Sequence, residues 1–479
     1  MAMPPTRPAP SPWPAASSAS EPPLRYDSLT VPDAQDLVFG RAPYPLRCGL
    51  ELELGAGAVF PEVNFTLPPI AITDATWPDI LAQYREMTEG VLQRALALQA
   101  PGIVIEFEHL PPMTKHPQWG AEITAVLRQL LERAHEAGGL PCALRATVVD
   151  LRHEQRPPHL RDGPLWETMH RSFADCAEAG AHILSIESVG GKEVFDEALL
   201  RGDVPGLVLA LGVLAPRDMA WLWQRIAEIC DGSGGAIAGG DSACGFANTA
   251  MQLAGQRLLP EVLAAVVRAM AAPRSLVAFE NGAVGPSKDC AYEGPVIKAI
   301  TGRTISMEGK SATCAHFSPL GNIAAAACDL WSNESVQNVR LLSGSAPQAF
   351  AESLIYDCRL MNEALRRGQE RSLRDLLVDS DQYHSPQALV ISPQASVAIA
   401  KAIVAAPSDY QRCVAAAQTA VGLIREAVTQ GDLRLPPVEA RWLGRIESAL
   451  AGLPSSEGKL LEETAAEYAH LFDAASYGL

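Results

Sequence analysis

The most constraining feature of this sequence is the alternation of two kinds of segment from about residue 48 to residue 310. Short β-branched or apolar runs are followed by loops and then by stretches with apolar residues at spacings of three and four, as in Ile123–Leu131 and Leu259–Met270. The eight candidate strands are Leu50–Leu54, Ile103–Phe107, Cys142–Val149, Ile183–Glu187, Val208–Val213, Ala236–Asp241, Ser275–Glu280 and Thr304–Met307. Eight strand–helix units predict an α/β fold, a (β/α)8 TIM barrel.

An open, doubly wound sheet is the alternative α/β arrangement. Such sheets usually contain fewer strands, and they bind dinucleotides at a glycine-rich turn after the first strand. In this chain the first turn, Gly55–Ala56–Gly57, lacks that dinucleotide fingerprint. The strand count and the first turn therefore both favour the closed barrel.

Composition divides the 479-residue chain into three parts. Residues 1–24 contain eight prolines and almost no large apolar side chain, which predicts a disordered tail. Residues 25–340 form the predicted barrel, with a long insertion after strand one that contains a helix at Trp77–Leu98. In residues 341–479 helical patterns replace strands, so we expect a helical C-terminal region that packs on the barrel as an added layer.

Charge and hydropathy argue against several classes of protein. The formal net charge of −17 disfavours a protein that binds nucleic acid phosphates or anionic lipid surfaces. The longest apolar run, Val204–Ala215, is shorter than the roughly 20 residues that span a bilayer, so no membrane segment is predicted. The tail carries no apolar segment typical of a secretory signal, and the ten cysteines form no Cys-x-x-Cys pair. We therefore expect a cytoplasmic protein with reduced thiols.

Three residues of metal-binding type fall at the carboxyl ends of candidate strands, where barrel active sites lie. Glu187 ends the fourth strand, Cys244 lies three residues beyond the sixth, and Cys290 lies in the loop after the seventh. A carboxylate and two thiolates suit zinc and leave a fourth position open for substrate. No local zinc signature joins the three, so the residues alone leave open that both cysteines are core residues and that Glu187 is a solvated strand end.

The segments around these residues resemble a known family. SIESVGGKEVFD, AGGDSACGFANTAM and APRSLVAFENGAVGPSKDCAYE, with GLELELGAG, KAITGRTISMEGK, TCAH and WSNESV, are similar to the zinc-containing subunit of methanol:corrinoid methyltransferases, from about residue 25 to the C-terminus. The resemblance implies a (β/α)8 barrel with an added helical layer and zinc bound by Glu187, Cys244 and Cys290. It also implies methanol as methyl donor, cob(I)alamin on a separate corrinoid protein as acceptor, and a homodimer.

The implied reaction needs a proton donor near the departing oxygen, because two thiolates and a carboxylate make zinc a softened Lewis acid. The candidate donors at neighbouring strand ends are Glu53, Asp241, Asp289, Glu308 and His316. For the two aspartates the alternative role is a hydrogen bond to loop amides. For His316 it is a structural role in the core or beside a metal ligand.

Three other functions stay open. The same zinc and corrinoid chemistry could act on a different methyl donor. A hydrolase would use zinc-bound water or a carboxylate pair on strands four and seven, for which the sequence offers Glu187 and Glu280. A catalytically silent subunit would only bind a partner and would carry no metal.

Overall fold

The computed structural model describes residues 24–67, 70–288, 290–336, 340–342 and 344–479. Its strands are β1 (Arg41–Cys48), β2 (Leu52–Ala56), β3 (Phe60–Thr66), β4 (Ile103–Glu108), β5 (Cys142–Val148), β6 (Ile183–Ile186), β7 (Ile237–Asp241), β8 (Ser306–Glu308), β9 (Leu330–Val336), β10 (Arg340–Leu341) and β11 (Gly344–Ser345). Its α-helices are α1 (Trp77–Ala97), α2 (Pro111–Lys115), α3 (Pro117–Gly138), α4 (Pro164–Glu178), α5 (Lys192–Arg201), α6 (Val204–Leu209), α7 (Ala215–Ser233), α8 (Thr249–Gly255), α9 (Glu261–Glu280), α10 (Gly294–Thr301), α11 (Lys310–Ala315), α12 (Ala346–Arg366), α13 (Glu370–Asp379), α14 (Pro386–Ile391), α15 (Pro393–Ala405), α16 (Asp409–Gln430), α17 (Pro437–Ala451) and α18 (Glu457–Tyr468).

The central sheet is curled and parallel. Among the described residues it contains seven strands in the order β7-β6-β5-β4-β3-β9-β8, so the first and last barrel strands, β3 and β9, are neighbours. Between β7 and β8 runs an extended segment, residues 284–287. Its Val284 N donates to Ala238 O (2.8 Å), and Ser306 N donates to Ser287 O (3.2 Å). With this segment in the eighth position, the predicted α/β barrel architecture is confirmed.

Five of the eight predicted strands are confirmed as the barrel strands β4 to β8. The prediction was wrong for Val208–Val213, which lies in the helical stretch Val204–Ser233, and for Ser275–Glu280, the last part of α9. Both segments are buried on all sides, so their apolar residues show no helical period and resemble a buried strand. Strands β3 and β9 were missed because polar residues such as Glu62 and Asn333 interrupt their apolar pattern.

The predicted first strand, Leu50–Leu54, is not part of the barrel wall. It overlaps β2, which pairs with β1 in an antiparallel hairpin. The main chains of Leu50 and Cys142 exchange hydrogen bonds of 2.7 and 3.0 Å at the start of β5. Leu52 and Leu54 pack against side chains from the amino ends of the barrel strands: Phe60, Val104, Ala143, Ile183 and Leu330. The hairpin therefore covers the amino end of the barrel.

A buried ion pair ties the strands together inside the barrel. Arg145 Nε of β5 lies 2.6 Å from Glu62 Oε1 of β3, and both side chains are buried. Arg145 also donates to Ser185 Oγ of β6 (2.9 Å) and to Pro286 O (3.0 Å), while Ser306 Oγ of β8 donates to Glu62. Because these partners come from five positions of the barrel, the pair fixes the relative positions of its strands.

The helices after residue 345 lie on the outside of the barrel. Helix α12 packs on β3 and β9, α16 packs on α9, and α15 packs on α10. The helix predicted at Trp77–Leu98 is α1. Residues 1–23, which make up nearly all of the predicted tail, lie outside the described residues, and the proposed division of the chain at residues 24 and 340 stays a prediction.

Two helical stretches are long and apolar enough to cross a membrane by length and composition. They are Val204–Ser233 and Glu261–Glu280, whose apolar windows are 83% and 100% buried inside the protein. Such burial is typical of core helices, which pass the same test as membrane helices. Their hydrophobicity is therefore accounted for by packing against the barrel and the outer helices.

Candidate metal centre

Three side chains meet at the carboxyl end of the barrel, opposite the hairpin. Glu187 directly follows β6, Cys244 follows β7, and Cys290 follows the extended segment 284–287. One ligand atom of each lies within 4.8 Å of the others, and Cys290 Sγ is 3.1 Å from Glu187 Oε1. Parallel strands end at the same edge of a barrel, which is why residues so distant in sequence converge here.

Each thiol has a hydrogen-bonding neighbour from the loop after β7. Asn248 Nδ2 donates to Cys244 Sγ at 3.2 Å from within the π-helical turn Cys244–Asn248. Ser242 Oγ lies 3.3 Å from Cys290 Sγ and accepts a hydrogen bond from Cys290 N at 3.2 Å. The hydroxyl proton of Ser242 is therefore free to point at the sulfur.

A buried lysine links the candidate ligand Glu187 to two carboxylates on β4. Lys288 Nζ lies 2.9 Å from Glu106 Oε1, 2.9 Å from Glu108 Oε2 and 3.3 Å from Glu187 Oε1. Asn64 Nδ2 of β3 donates to Glu108 Oε2 at 2.6 Å. Desolvation raises the pKa of Glu108 to about 7, although the charge of Lys288 opposes that shift. The lysine thus balances part of a strongly acidic site.

The protonation states of the three candidate ligands differ in the absence of a cation. Desolvation would raise the pKa of Glu187, but Lys288 and the hydrogen bonds from Cys290 and Lys288 hold it below its usual value. The hydrogen bond with Cys290 lowers the pKa of Cys244, yet desolvation and the nearby Glu187 charge outweigh it and raise the value to about 12. Desolvation also raises the pKa of Cys290 well above its usual value. Two neutral thiols of this kind become thiolates when a metal cation binds.

A carboxylate–imidazole group lies beside the cluster. His316 Nδ1 is 3.2 Å from Glu308 Oε2 at the end of β8, and His316 Nε2 is 3.8 Å from Glu334 Oε2 of β9. Desolvation raises the pKa of Glu308 to about 7, while the hydrogen bond from His316 opposes the shift. The hydrogen bond to Glu308 raises the pKa of His316. The Glu308 charge also raises the pKa of Cys244 and Cys290, so the group is electrostatically coupled to the thiols.

Two other predicted proton donors, Asp241 and Glu53, are not brought to this cluster. Asp241 is fully buried and is held by Arg274 Nη1 (3.3 Å) and Trp223 Nε1 (3.1 Å). Glu53 is exposed in the hairpin at the amino end of the barrel, because its strand is not a barrel strand. Asp289 lies outside the described residues.

The carboxylate pair required by a barrel glycosidase is also not formed. Glu280 ends helix α9 instead of a strand, and its Oε1 lies 2.9 Å from Arg412 Nη1 of α16. The same oxygen accepts a hydrogen bond from Tyr26 N at 3.0 Å. Glu280 therefore joins the helical layer to the barrel helices, and Glu187 has no catalytic partner at that position.

Several residues of the site were missed from the sequence. Glu106, Glu108 and Glu334 are acidic residues in or at the end of buried strands, and Lys288 stands two residues before Cys290. A charged side chain inside an apolar strand is a signal that could have pointed to the site, because burial of an unpaired charge is costly. Asn248, four residues after Cys244, gives no such signal.

The geometry fits a tetrahedral metal ion. Zinc binds sulfur at about 2.3 Å and carboxylate oxygen at about 2.0–2.2 Å, which places neighbouring ligand atoms about 3.5–3.8 Å apart. The candidate ligand atoms lie within 4.8 Å of one another, close enough to be drawn to that spacing around one ion. Three protein ligands leave one position for a substrate. Fold and site together define an α/β-barrel protein with a candidate metal centre at the carboxyl end of the barrel.

Comparisons with known proteins agree with this class. Residues 24–478 match the family model described as "Methanol-cobalamin methyltransferase B subunit" (MtaB), and the chain belongs to this family. The methanol–corrinoid protein co-methyltransferase of Methanosarcina barkeri (strain Fusaro / DSM 804) is 39% identical over 461 residues, which cover 95% of this chain and 99% of that protein. The crystal structure of the methanol:cobalamin methyltransferase complex MtaBC from Methanosarcina barkeri matches with a TM-score of 0.91 and 38% identity, over 95% of this chain and 100% of the matched chain. The family resemblance read from the sequence is confirmed.

Proposed function

We propose that this protein transfers the methyl group of methanol to cob(I)alamin carried by a corrinoid protein. The observation that carries the proposal is the convergence of Glu187, Cys244 and Cys290 at the carboxyl end of a barrel of this family. The names of the similar proteins, which specify methanol and a corrinoid or cobalamin acceptor, support the choice of substrates.

We further propose zinc as the metal and Glu187, Cys244 and Cys290 as its ligands. Two thiols and a carboxylate are ligands that zinc prefers, and their spacing fits tetrahedral coordination with one open position. When bound, zinc would supply Lewis-acid activation of the C–O bond of methanol. Glu187 and Cys244 follow strands β6 and β7, and Cys290 follows the extended segment 284–287, so all three ligands project from the carboxyl end of the barrel.

The methyl transfer also needs one proton. The methyl carbon forms a bond to the corrinoid cobalt, the C–O bond breaks, and the oxygen accepts a proton to leave as water. We assign the donor role to Glu308 supported by His316, because these two are the predicted donors that lie beside the thiols. A carboxyl group with a pKa of about 7 is partly protonated at neutral pH and is suited to general-acid catalysis.

The corrinoid protein would dock on the carboxyl face of the barrel. That face carries the candidate site, whereas the β1–β2 hairpin covers the amino end. A bulky corrin ring must bring its cobalt within bonding distance of the methyl carbon, so the face must stay open towards the partner. The expected homodimer and the cytoplasmic location remain predictions.

An anoxic spectrophotometric assay tests the choice of donor. Zinc-loaded protein is mixed with a corrinoid protein in the Co(I) state and with methanol, and the methyl-cobalt spectrum is followed. We expect rapid formation of methyl-cobalt with methanol and slow or no formation with larger methoxylated or methylated compounds. A rapid signal with one of those compounds and none with methanol would show that the protein uses a different methyl donor.

A further inference from the structure

Each candidate ligand is within hydrogen-bonding distance of one donor from its surroundings. The three contacts are Asn248 Nδ2 to Cys244 Sγ (3.2 Å), Ser242 Oγ to Cys290 Sγ (3.3 Å) and Lys288 Nζ to Glu187 Oε1 (3.3 Å). The donors come from two separate loops, one after β7 and one after residues 284–287. In these three contacts each candidate ligand therefore has its own donor.

We propose that Asn248, Ser242 and Lys288 are positioning residues that withdraw negative charge from the ligands and so keep the metal a strong Lewis acid. The inference rests on the proposed zinc function. Two thiolates and a carboxylate outweigh the two positive charges of zinc and weaken its pull on the methanol oxygen. A hydrogen bond to a ligand atom lowers the electron density that the atom donates, which is how neighbours of metal ligands tune a metal centre.

Asn248 is the clearest member of the set. Its Nδ2 faces the sulfur of Cys244, while its Oδ1 is buried and has no hydrogen-bond partner among the described residues. An unpaired buried amide oxygen is costly, so a leucine of similar size would pack there at least as well if packing were the only requirement. The presence of an asparagine at position 248 is therefore explained by its side-chain N–H group, which donates to the Cys244 thiolate and which a leucine lacks.

Ser242 acts on the second thiol. Its oxygen accepts a hydrogen bond from Cys290 N, which turns the hydroxyl proton towards Cys290 Sγ. A thiolate can only accept, so in the metal-bound state the hydroxyl must be the donor in this contact. The same serine thus orients the main chain of the ligand loop and reduces the charge of the sulfur.

Lys288 differs because it carries a full charge. Its ammonium group contacts Glu187 together with Glu106 and Glu108, so it also holds the ligand carboxylate against β4. A substitution of Lys288 would alter three carboxylates at once. The neutral donors Asn248 and Ser242 are therefore the better test of the inference.

The test replaces zinc by Co(II), whose sulfur-to-cobalt charge-transfer band reports the donor strength of the thiolates without any turnover. The variant N248L keeps the volume of the side chain and removes the donor. We expect the band to move to longer wavelength, since an unbonded thiolate gives up its electron more easily. We also expect methanol turnover to fall about tenfold to a hundredfold, with one cobalt still bound per chain.

The matched control is T249A. Thr249 follows Asn248, but its hydroxyl donates to Gly245 O (2.8 Å) and not to a candidate ligand, so the cobalt spectrum of T249A should equal that of the wild type. S242A is the second variant, and its charge-transfer band should also move to longer wavelength. It provides the test if N248L fails to fold. An unshifted thiolate band in the folded variants would overturn the inference but leave the proposed function standing. A wild-type cobalt protein without any thiolate band would overturn the proposed metal centre itself.

Discussion

At the residue scale, the two cysteine thiols of the site must lose their protons when a metal cation binds. Cys244 and Cys290 have raised pKa values, so without a metal both would be neutral at pH 7. Glu187, held below its usual pKa, is already charged and offers the first attraction to a cation. Metal binding therefore releases protons, and the affinity for zinc is expected to rise with pH.

Removal of either thiol should remove metal and activity together. We expect C244S and C290S to lose most of their bound zinc and all detectable methyl transfer, because a serine hydroxyl is a far weaker zinc ligand than a thiolate. Metal content by mass spectrometry and the methylation assay check this. C314S is the control, since Cys314 is exposed and outside the cluster. Full zinc content in both site variants would exclude the assigned ligands.

Glu308 gives the reaction its expected pH dependence. Its pKa is raised to about 7, so the protonated donor is present below that pH and is lost above it. The rate of methyl transfer should therefore fall as the pH rises through about 7. E308Q, which cannot donate in the same way, should lower kcat by about 100-fold or more and remove this fall. E53Q, at the amino end of the barrel, is the control and should keep the wild-type profile.

His316 should shift that profile in a defined direction. Its hydrogen bond and charge lower the pKa of Glu308 against the effect of desolvation. H316A should therefore raise the pKa of Glu308 and move the fall in rate to higher pH. A shift to lower pH in steady-state measurements would contradict the assigned pair, and a complete loss of the fall in rate would point to His316 itself as the group that titrates.

The metal-ligand candidates could be predicted from sequence, but their surroundings could not. Glu187 and Cys244 follow strands that the local pattern detects, whereas the strand predicted before Cys290 is the end of α9, so Cys290 was identified through the family resemblance. The contacts of Lys288 with Glu106 and Glu108 depend on how strands of a closed barrel lie side by side, which no local pattern contains. The prediction for Glu53 fails because its strand, β2, pairs with β1 in the hairpin and is not a barrel strand.

At the element scale, burial decides which strands are recognisable. Strands β4 to β8 have the short apolar runs that sequence patterns detect. Helix α9 is buried along its whole length, so its residues Ser275–Glu280 lack the polar face that would mark a helix. Strands β3 and β9 carry polar residues that point to the interior or to the site, among them Glu62, Asn64 and Glu334. Strands β3 and β9 thus lack the apolar strand pattern because the site and the buried ion pair require polar side chains in them.

The buried pair of Arg145 and Glu62 should be important for stability. R145M would leave Glu62 as an uncompensated carboxyl group in the barrel interior and is expected to lower the free energy of unfolding by about 3–5 kcal/mol. Urea unfolding followed by circular dichroism measures the change. The double variant R145M/E62Q removes both charges and should recover part of the loss. Equal stability of R145M and the wild type would mean that the pair does not hold the strands.

At the scale of the whole molecule, the two ends of the barrel have different tasks. The amino end is covered by the β1–β2 hairpin, and the carboxyl end carries the candidate site and faces the proposed corrinoid partner. An exposed aromatic residue lies at each end. Phe317 follows His316 at the site, and Tyr44 belongs to β1 in the hairpin. Substitution of Phe317 and of Tyr44 in turn tests at which end of the barrel the corrinoid protein docks.

A charge at the carboxyl end should weaken docking of the partner. We expect F317D to raise the KM for the corrinoid protein severalfold while zinc content stays unchanged, because a buried, unpaired carboxylate is costly at an interface. Y44D, at the opposite end, should leave this KM unchanged. Steady-state kinetics with varied corrinoid protein compare the two variants. An increased KM in Y44D alone would place the partner at the amino end.

In the proposed reaction, the C–O bond of methanol breaks at the centre formed by Glu187, Cys244 and Cys290. Methanol labelled with ¹³C and ¹⁸O tests it most directly, with zinc-loaded protein and a Co(I) corrinoid protein under strict anoxia. We expect ¹³C in the methyl group on cobalt and ¹⁸O in water, and we expect both labelled products to be lost in C244S and C290S. A methyl-cobalt product without ¹³C, or labelled product at wild-type rates in both variants, would contradict it.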